Sequence, residues 1–177
     1  MRFTAALILT FFVMASSALA MDTSQIAWYA HGDLALPSGS FGDVAGTGFG
    51  GGVGGAMPYS EALTFRGEVG YIHFGGKELL GADYSYALIP FFFLGEYQFS
   101  PGSQVYGLGG VGMTMARFSW DWTNPWTGAK ENVSDSSSEF GIAVGGGFHL
   151  NEQMTLEGRY NIVSDLDFLS VHFLYNF

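Results

Sequence analysis

Ser170 and His172 stand two residues apart near the end of the chain, and Glu157 and Asp33 are the carboxylates that could join them. A hydroxyl, an imidazole and an acid within mutual reach meet the nucleophile, base and orienter roles of covalent hydrolysis. A second set of residues is electrostatic in character. Asp33, Glu68, Glu96, Glu139 and Glu157 can be set against Arg66 and Arg159, with His31, His149 and His172 beside them. Inside a narrow interior such groups must pair or hydrogen-bond, because an isolated buried charge is costly. Metal chemistry has less support. The 4 histidines show no His-x-His spacing and the chain has no cysteine, so no coordination motif is present and no metal or cofactor is expected. The glycines of GTGFGG are followed by no helix, so this stretch reads as a strand and not as a dinucleotide loop.

Whether any of these residues meet depends on the elements that carry them. Apolar and polar residues alternate with a period of two in several segments, the signature of strands with two different faces. In the last segment Leu169, Val171, Phe173, Tyr175 and Phe177 oppose Ser170, His172, Leu174 and Asn176. Just before it, Met154, Leu156, Tyr160 and Ile162 oppose Thr155, Glu157, Arg159 and Asn161. Phe140, Ile142, Val144, Phe148 and Leu150 oppose Glu139, Ala143 and His149, and Leu63, Phe65, Val69 and Tyr71 oppose Thr64, Arg66 and Glu68. Trp28, Leu34 and Leu36 face away from Tyr29, His31 and Asp33. Three further strands, over 47–57, 84–97 and 105–117, have weaker alternation. Phe92 and Leu94 occupy what should be the polar face of the second of these, and Pro90 within it predicts a bulge.

The total is eight strands. Short breaks at Pro58–Ser60, Ser100–Ser103 and Asn151–Gln153 alternate with longer ones at 38–46, 75–83 and 118–138, and the break at Ser164–Asp167 is also short. An even number of strands lets the last pair with the first and removes the exposed edges. The chain is 17% aromatic with 27 glycines, yet only 12% charged, against about 25% in an ordinary water-soluble domain. A soluble lipocalin-like cup has the same strand number but would turn its apolar face inward. Here the apolar faces are large and aromatic, and an eight-stranded interior is too narrow for them. The expectation is therefore an all-β, eight-stranded antiparallel transmembrane up-and-down barrel over 21–177, with its polar faces inside. Residues 1–20 read as a signal peptide: basic Arg2, an apolar run from Ala5 to Met14 broken only by Thr10, then Ser16-Ser17-Ala18-Leu19-Ala20. The net charge of −10 argues against nucleic acid as a partner.

The ending VHFLYNF resembles the C-terminal signature of bacterial outer-membrane proteins, and VYGLGGVGMTMARF resembles the glycine-patterned fifth strand of the small OmpA/OmpX-like and opacity-protein barrels. The resemblance implies a bacterial outer-membrane location, contact with outer-membrane lipids, and Phe173, Tyr175 and Phe177 as the signal read by the barrel assembly machinery. The family includes adhesins, structural proteins and a few enzymes. Among the enzymes, the small lipid A deacylases carry a similar hydrolytic set, but in His-x-Ser order and facing lipid. In this chain the order is Ser-x-His, and Ser170 and His172 fall on the inward face.

Three readings follow. The first is a structural or surface-interaction barrel without catalytic residues. Its lumen is filled by a network of Asp33, Arg66, Glu68, Glu157, Arg159 and His172, and the glycines of 47–57 clear space for Arg66. In the break at 118–138, Trp120, Trp122 and Trp126 serve either a headgroup girdle or contact with an unknown extracellular ligand. The second is a lipid-modifying hydrolase and the third a conduit for small or hydrophobic solutes.

Overall fold

The computed structural model describes residues 25–76, 83–123 and 130–177; the expected leader and Trp126 lie outside the described residues. Eight antiparallel strands close into a barrel in chain order: β1 (Ala27–Pro37), β2 (Ala45–Pro58), β3 (Leu63–Gly76), β4 (Asp83–Gln98), β5 (Val105–Thr123), β6 (Lys130–His149), β7 (Met154–Ile162) and β8 (Phe168–Asn176). The seam is closed by β1 against β8, with Asp33 opposite His172 and Ala35 opposite Ser170. No described helix is long and apolar enough to cross a membrane, which says nothing of a barrel that crosses with strands.

Alternation sets the two faces. On β7 and β8, Thr155, Glu157, Arg159, Asn161, Phe168, Ser170, His172 and Leu174 are buried, while Leu156, Leu169, Val171 and Phe173 between them face outward. With Trp28, Phe49, Tyr71, Phe93 and Phe140 they form an exposed apolar belt that water would not tolerate but lipid would. At the end where β1 begins and β8 finishes the connections are tight, and polar side chains hold them. Ser60 Oγ accepts from the Leu63 amide (3.1 Å), Ser103 Oγ from Val105 (3.1 Å) and Asn151 Oδ1 from Met154 (2.8 Å).

The far end departs from the sequence-based expectation in three ways. First, most of the break at 118–138 is strand: β5 and β6 stay paired from Val105↔Phe148 up to Thr123↔Lys130. Second, Pro90 causes no bulge. Pairing of β4 with β3 skips from Val69↔Phe91 to Ile72↔Leu88, but the register is the same on both sides of the gap. The missing proline donor removes ladder bonds without adding a residue. The register shift lies instead on β2, between Ala45 and Gly48. Third, the break at 38–46 contains a helical turn, α1 (Gly39–Val44), which turns Phe41 into the barrel mouth.

That turn accounts for the apolar inner face of β4. Phe41 packs edge-on against Phe74 (5.0 Å between ring centres) and Tyr86 (5.3 Å), and Phe74 meets Phe168 (5.8 Å). Ile72, Leu88 and Phe92 belong to the same buried cluster. The far half of the interior is therefore a small hydrophobic core, and the half where β1 begins and β8 finishes holds the charged side chains together with buried Leu94 and Leu108.

Candidate functional site

The polar half is built by register. Glu157 on β7 and Asp33 on β1 both stand opposite His172 of β8, one on each side. From the other wall, β3 contributes Arg66 and Glu68, and β4 contributes Glu96. Arg66 Nη1 donates to Glu157 Oε2 (2.7 Å) and Glu96 Oε2 (3.3 Å), and its Nη2 lies 3.5 Å from Glu68 Oε2. Arg159 binds Glu157 through Nε and grips Glu68 with both terminal nitrogens, one at 3.0 Å. Two phenols complete the set. Tyr106 donates to Glu157 Oε2 (2.6 Å); Tyr29 donates to Glu68 Oε2 (2.9 Å) and accepts from Arg66 Nε (3.3 Å). Multiple charge-assisted bonds of this kind are what allow charges to stay buried.

Next to this network lies a histidine cluster. His31 Nδ1 and His172 Nδ1 each lie 2.6 Å from the same oxygen, Asp33 Oδ1. His172 Nε2 is 2.7 Å from Ser170 Oγ, which accepts from Asn161 Nδ2 at 2.8 Å. Ser170, His172 and Asp33 thus stand in nucleophile–base–orienter order. Glu157 is committed to the arginines and Tyr106. The void beside the cluster is only about 10 Å³, between His31, Asp33, Glu68, Phe92, Arg159 and His172.

Of the residues singled out from sequence, Asp33, Arg66, Glu68, Glu157, Arg159 and His172 all lie in the barrel interior, but in two groups: Arg66, Glu68, Glu157 and Arg159 share partners, while Asp33 and His172 belong to the adjacent histidine cluster. Glu139 does not join them. It lines a separate cleft of about 220 Å³ at the far mouth, with Asp135, Asp165, Tyr86, Phe118 and Ser164. Trp120 and Trp122 fall on the extended part of β5, opposite Val133 and Glu131. Phe173, Tyr175 and Phe177 are exposed on the outer wall and at the chain end. Tyr29 and Tyr106 were missed, although a phenol on an inward face is a hydrogen-bonding group waiting for a partner. The β2 glycines make room for Tyr29 and His31 rather than for Arg66: a Cβ on Gly54 would strike the Tyr29 ring, and one on Gly52 would strike His31.

Comparison with known proteins agrees with this architecture. The family model described as outer membrane protein beta-barrel domain matches residues 3–177. No curated protein matches the chain. Among solved structures, the chain is similar to Ail, the attachment invasion locus protein of Yersinia pestis, at 10% identity and TM-score 0.63, covering 86% of this chain and 97% of that one. Neisserial surface protein A is similar at 19% identity and TM-score 0.56, with coverage of 86% and 97%. The N-terminal β-barrel domain of Pseudomonas aeruginosa OprF is similar at 9% identity and TM-score 0.53, with coverage of 85% and 97%. At such identities the likeness is one of fold.

Proposed function

The chain belongs to the outer membrane protein beta-barrel domain family, and from that premise we propose that it is a surface-interaction barrel, non-catalytic, whose working part is the β5–β6 hairpin. In a barrel of the bacterial outer membrane the tight turns face the periplasm and the longer connections face outward. The observation that carries the reading is the unequal height of the wall. β7 and β8 have 9 residues each, whereas β5 has 19 and β6 has 20. From Lys130 to Gly141, β6 pairs with β5 alone. At about 3.3 Å per residue this gives a reach of roughly 40 Å along the strand. A filled barrel has no need of such a projection for its own closure, and recognition commonly sits on projections from rigid scaffolds. At the hairpin's base, the cleft of Asp135, Glu139 and Asp165 has no lysine or arginine among the described residues of its lining. That chemistry favours a partner bearing ammonium, guanidinium or hydroxyl groups over a polyanion.

The test is retention of barrel-bearing vesicles on immobilised matrix proteins, basic peptides and glycans, sulfated ones included. A variant in which Ser119 and Ser134, opposite one another in the ladder, are joined by an Asn-Gly turn provides the comparison. Retention by the full hairpin that the trimmed barrel loses supports the reading. Equal retention by both, or none by either, overturns it.

The order of Ser170, His172 and Asp33 favours a second reading, a lipid hydrolase. Against it, Ser170 is 0% exposed and the adjoining void cannot take an acyl chain. Loss of acyl chains from lipopolysaccharide or phospholipid vesicles, seen by mass spectrometry with the wild type but not with Ser170→Ala, would establish hydrolysis.

A further inference from the structure

The histidine cluster has a geometry that hydrogen bonding alone leaves unsettled. Two ring nitrogens crowd one carboxylate oxygen, each at 2.6 Å, and only the His31 contact is directed as a hydrogen bond. His172 Nδ1, Asp33 Oδ2 and His31 Nε2 are left buried without a hydrogen-bond partner. Three unsatisfied polar atoms within one small cluster are unusual, since buried polar groups are nearly always paired.

We propose that His31, Asp33 and His172 form a binding site for a late first-row divalent cation of the zinc class, which clamps the seam between β1 and β8. Donor atoms of the three residues lie within 4.8 Å of one another, and all three residues are buried. Two imidazoles and a carboxylate suit zinc, cobalt, nickel or copper, whereas magnesium and calcium call for oxygen-rich shells. Tetrahedral zinc with bonds of about 2.0–2.1 Å holds its ligand atoms about 3.3 Å apart. Each ring, 2.6 Å from Asp33 Oδ1, therefore needs to draw back by about 0.7 Å, roughly the scale of a side-chain adjustment. The cation would replace the crowded N···O contacts with bonds from both nitrogen lone pairs and from the carboxylate.

The surroundings are built to hold these ligands in place. His172 has its second nitrogen on Ser170 Oγ, which Asn161 fixes in turn. Metal-binding imidazoles are commonly oriented by an outer partner of this kind. His31 lies across the β2 glycines, where a Cβ on Gly52 would exclude its ring. Because the site has almost no free volume, its role is structural: it ties the first strand to the last at the point where the barrel closes.

The experiment uses untagged mature protein, refolded into detergent micelles with cobalt present or given cobalt after folding. Metal retained after gel filtration and the visible cobalt absorption are read together. A single tightly held cobalt per barrel, with two imidazoles in its X-ray absorption spectrum, supports the proposal. His73→Ala, on the outer wall, should leave binding unchanged. His172→Ala and Asp33→Asn should abolish it, and Ser170→Ala should weaken it about tenfold. No retained metal in the wild type under either protocol, a cobalt shell without imidazole, or loading of the His31→Ala and His172→Ala barrels equal to that of the wild type would overturn it. The shell measurement needs only the wild type, so it decides the matter even if a variant fails to refold.

Discussion

Arg66 on β3 and Glu157 on β7 lie 91 residues apart in the chain and on opposite walls, yet their side chains meet at 2.7 Å across the lumen. Both side chains are almost completely shielded, at 3% and 0% exposure. Each has further partners, so removal of one strands several. Arg66→Met leaves Glu157, Glu96 and Glu68 short of a cation, and truncating one member of a buried ion pair costs about 3–5 kcal/mol. Urea unfolding from lipid vesicles should show that loss. Glu157→Gln combined with Arg66→Met should cost less than the two single losses added, since groups in one network couple by about 0.5–3 kcal/mol. Strict additivity would mean that the contact is not energetically shared.

The β2 glycines supply a second test. An added methyl at Gly52 or Gly54 runs into His31 or Tyr29, whereas one at Gly67 meets nothing within 4 Å. Gly54→Ala and Gly52→Ala should each destabilise by about 1–3 kcal/mol, as overpacking does. Gly67→Ala should be neutral or stabilising by about 0.5–1 kcal/mol, because glycine loses more entropy in a strand than alanine. Unfolding midpoints of the three variants compared with wild type give the answer, and an equal effect at all three positions would refute the close-approach explanation.

Thr114 carries the opposite expectation. Its Oγ1 is buried without a hydrogen-bond partner, on β5 opposite Pro90. Thr114→Val keeps the shape and removes the unpaired hydroxyl. Stability should rise by about 1 kcal/mol or more, the lower end of the cost of an unsatisfied buried group. A fall in the unfolding midpoint would show that the hydroxyl is in use.

The packed mouth bears on conduction. Phe41, Phe74 and Phe168 meet across the far half of the interior, and eight strands leave room for side chains rather than for a channel. Folded barrels in planar bilayers should give no porin-like current steps. Phe41→Ala should destabilise by about 3–5 kcal/mol, as aromatic truncations in cores do. Regular current steps from the wild type would reinstate the conduit.

Most of the barrel could be read from the chain because a strand between lipid and a polar lumen alternates in a visible way. Legibility failed where one of those two environments was missing. Residues 130–138, KENVSDSSS, show no apolar alternation, and their strand character comes from hairpin pairing with β5, which leaves no periodic mark within the segment itself. On β4, Phe92 and Leu94 obscured the polar face because the other members of their buried cluster, Phe41 and Phe74 among them, sit on other elements. The spacing of His31 and Asp33 puts them on one face of one strand, but nothing local brings His172 to the same level. Only the closure of β8 against β1 does that, and so the histidines looked scattered. The mouth cleft escaped notice for a related reason, since Glu139 and Asp165 converge only once the tall and short walls stand side by side.

The unequal height of the wall has one more effect. Where β6 rises beyond β7, from Lys130 to Gly141, the sheet has a border with which no described strand pairs. A bare border of this length is a template on which another extended chain can be laid down, and a barrel otherwise free of edges acquires one. The segment KENVSDSSS is polar and charged but for Val133, without an apolar run that would make two copies adhere. The composition that hid this strand from a reading of the sequence thus also denies two such borders the apolar run through which neighbouring barrels would zip together.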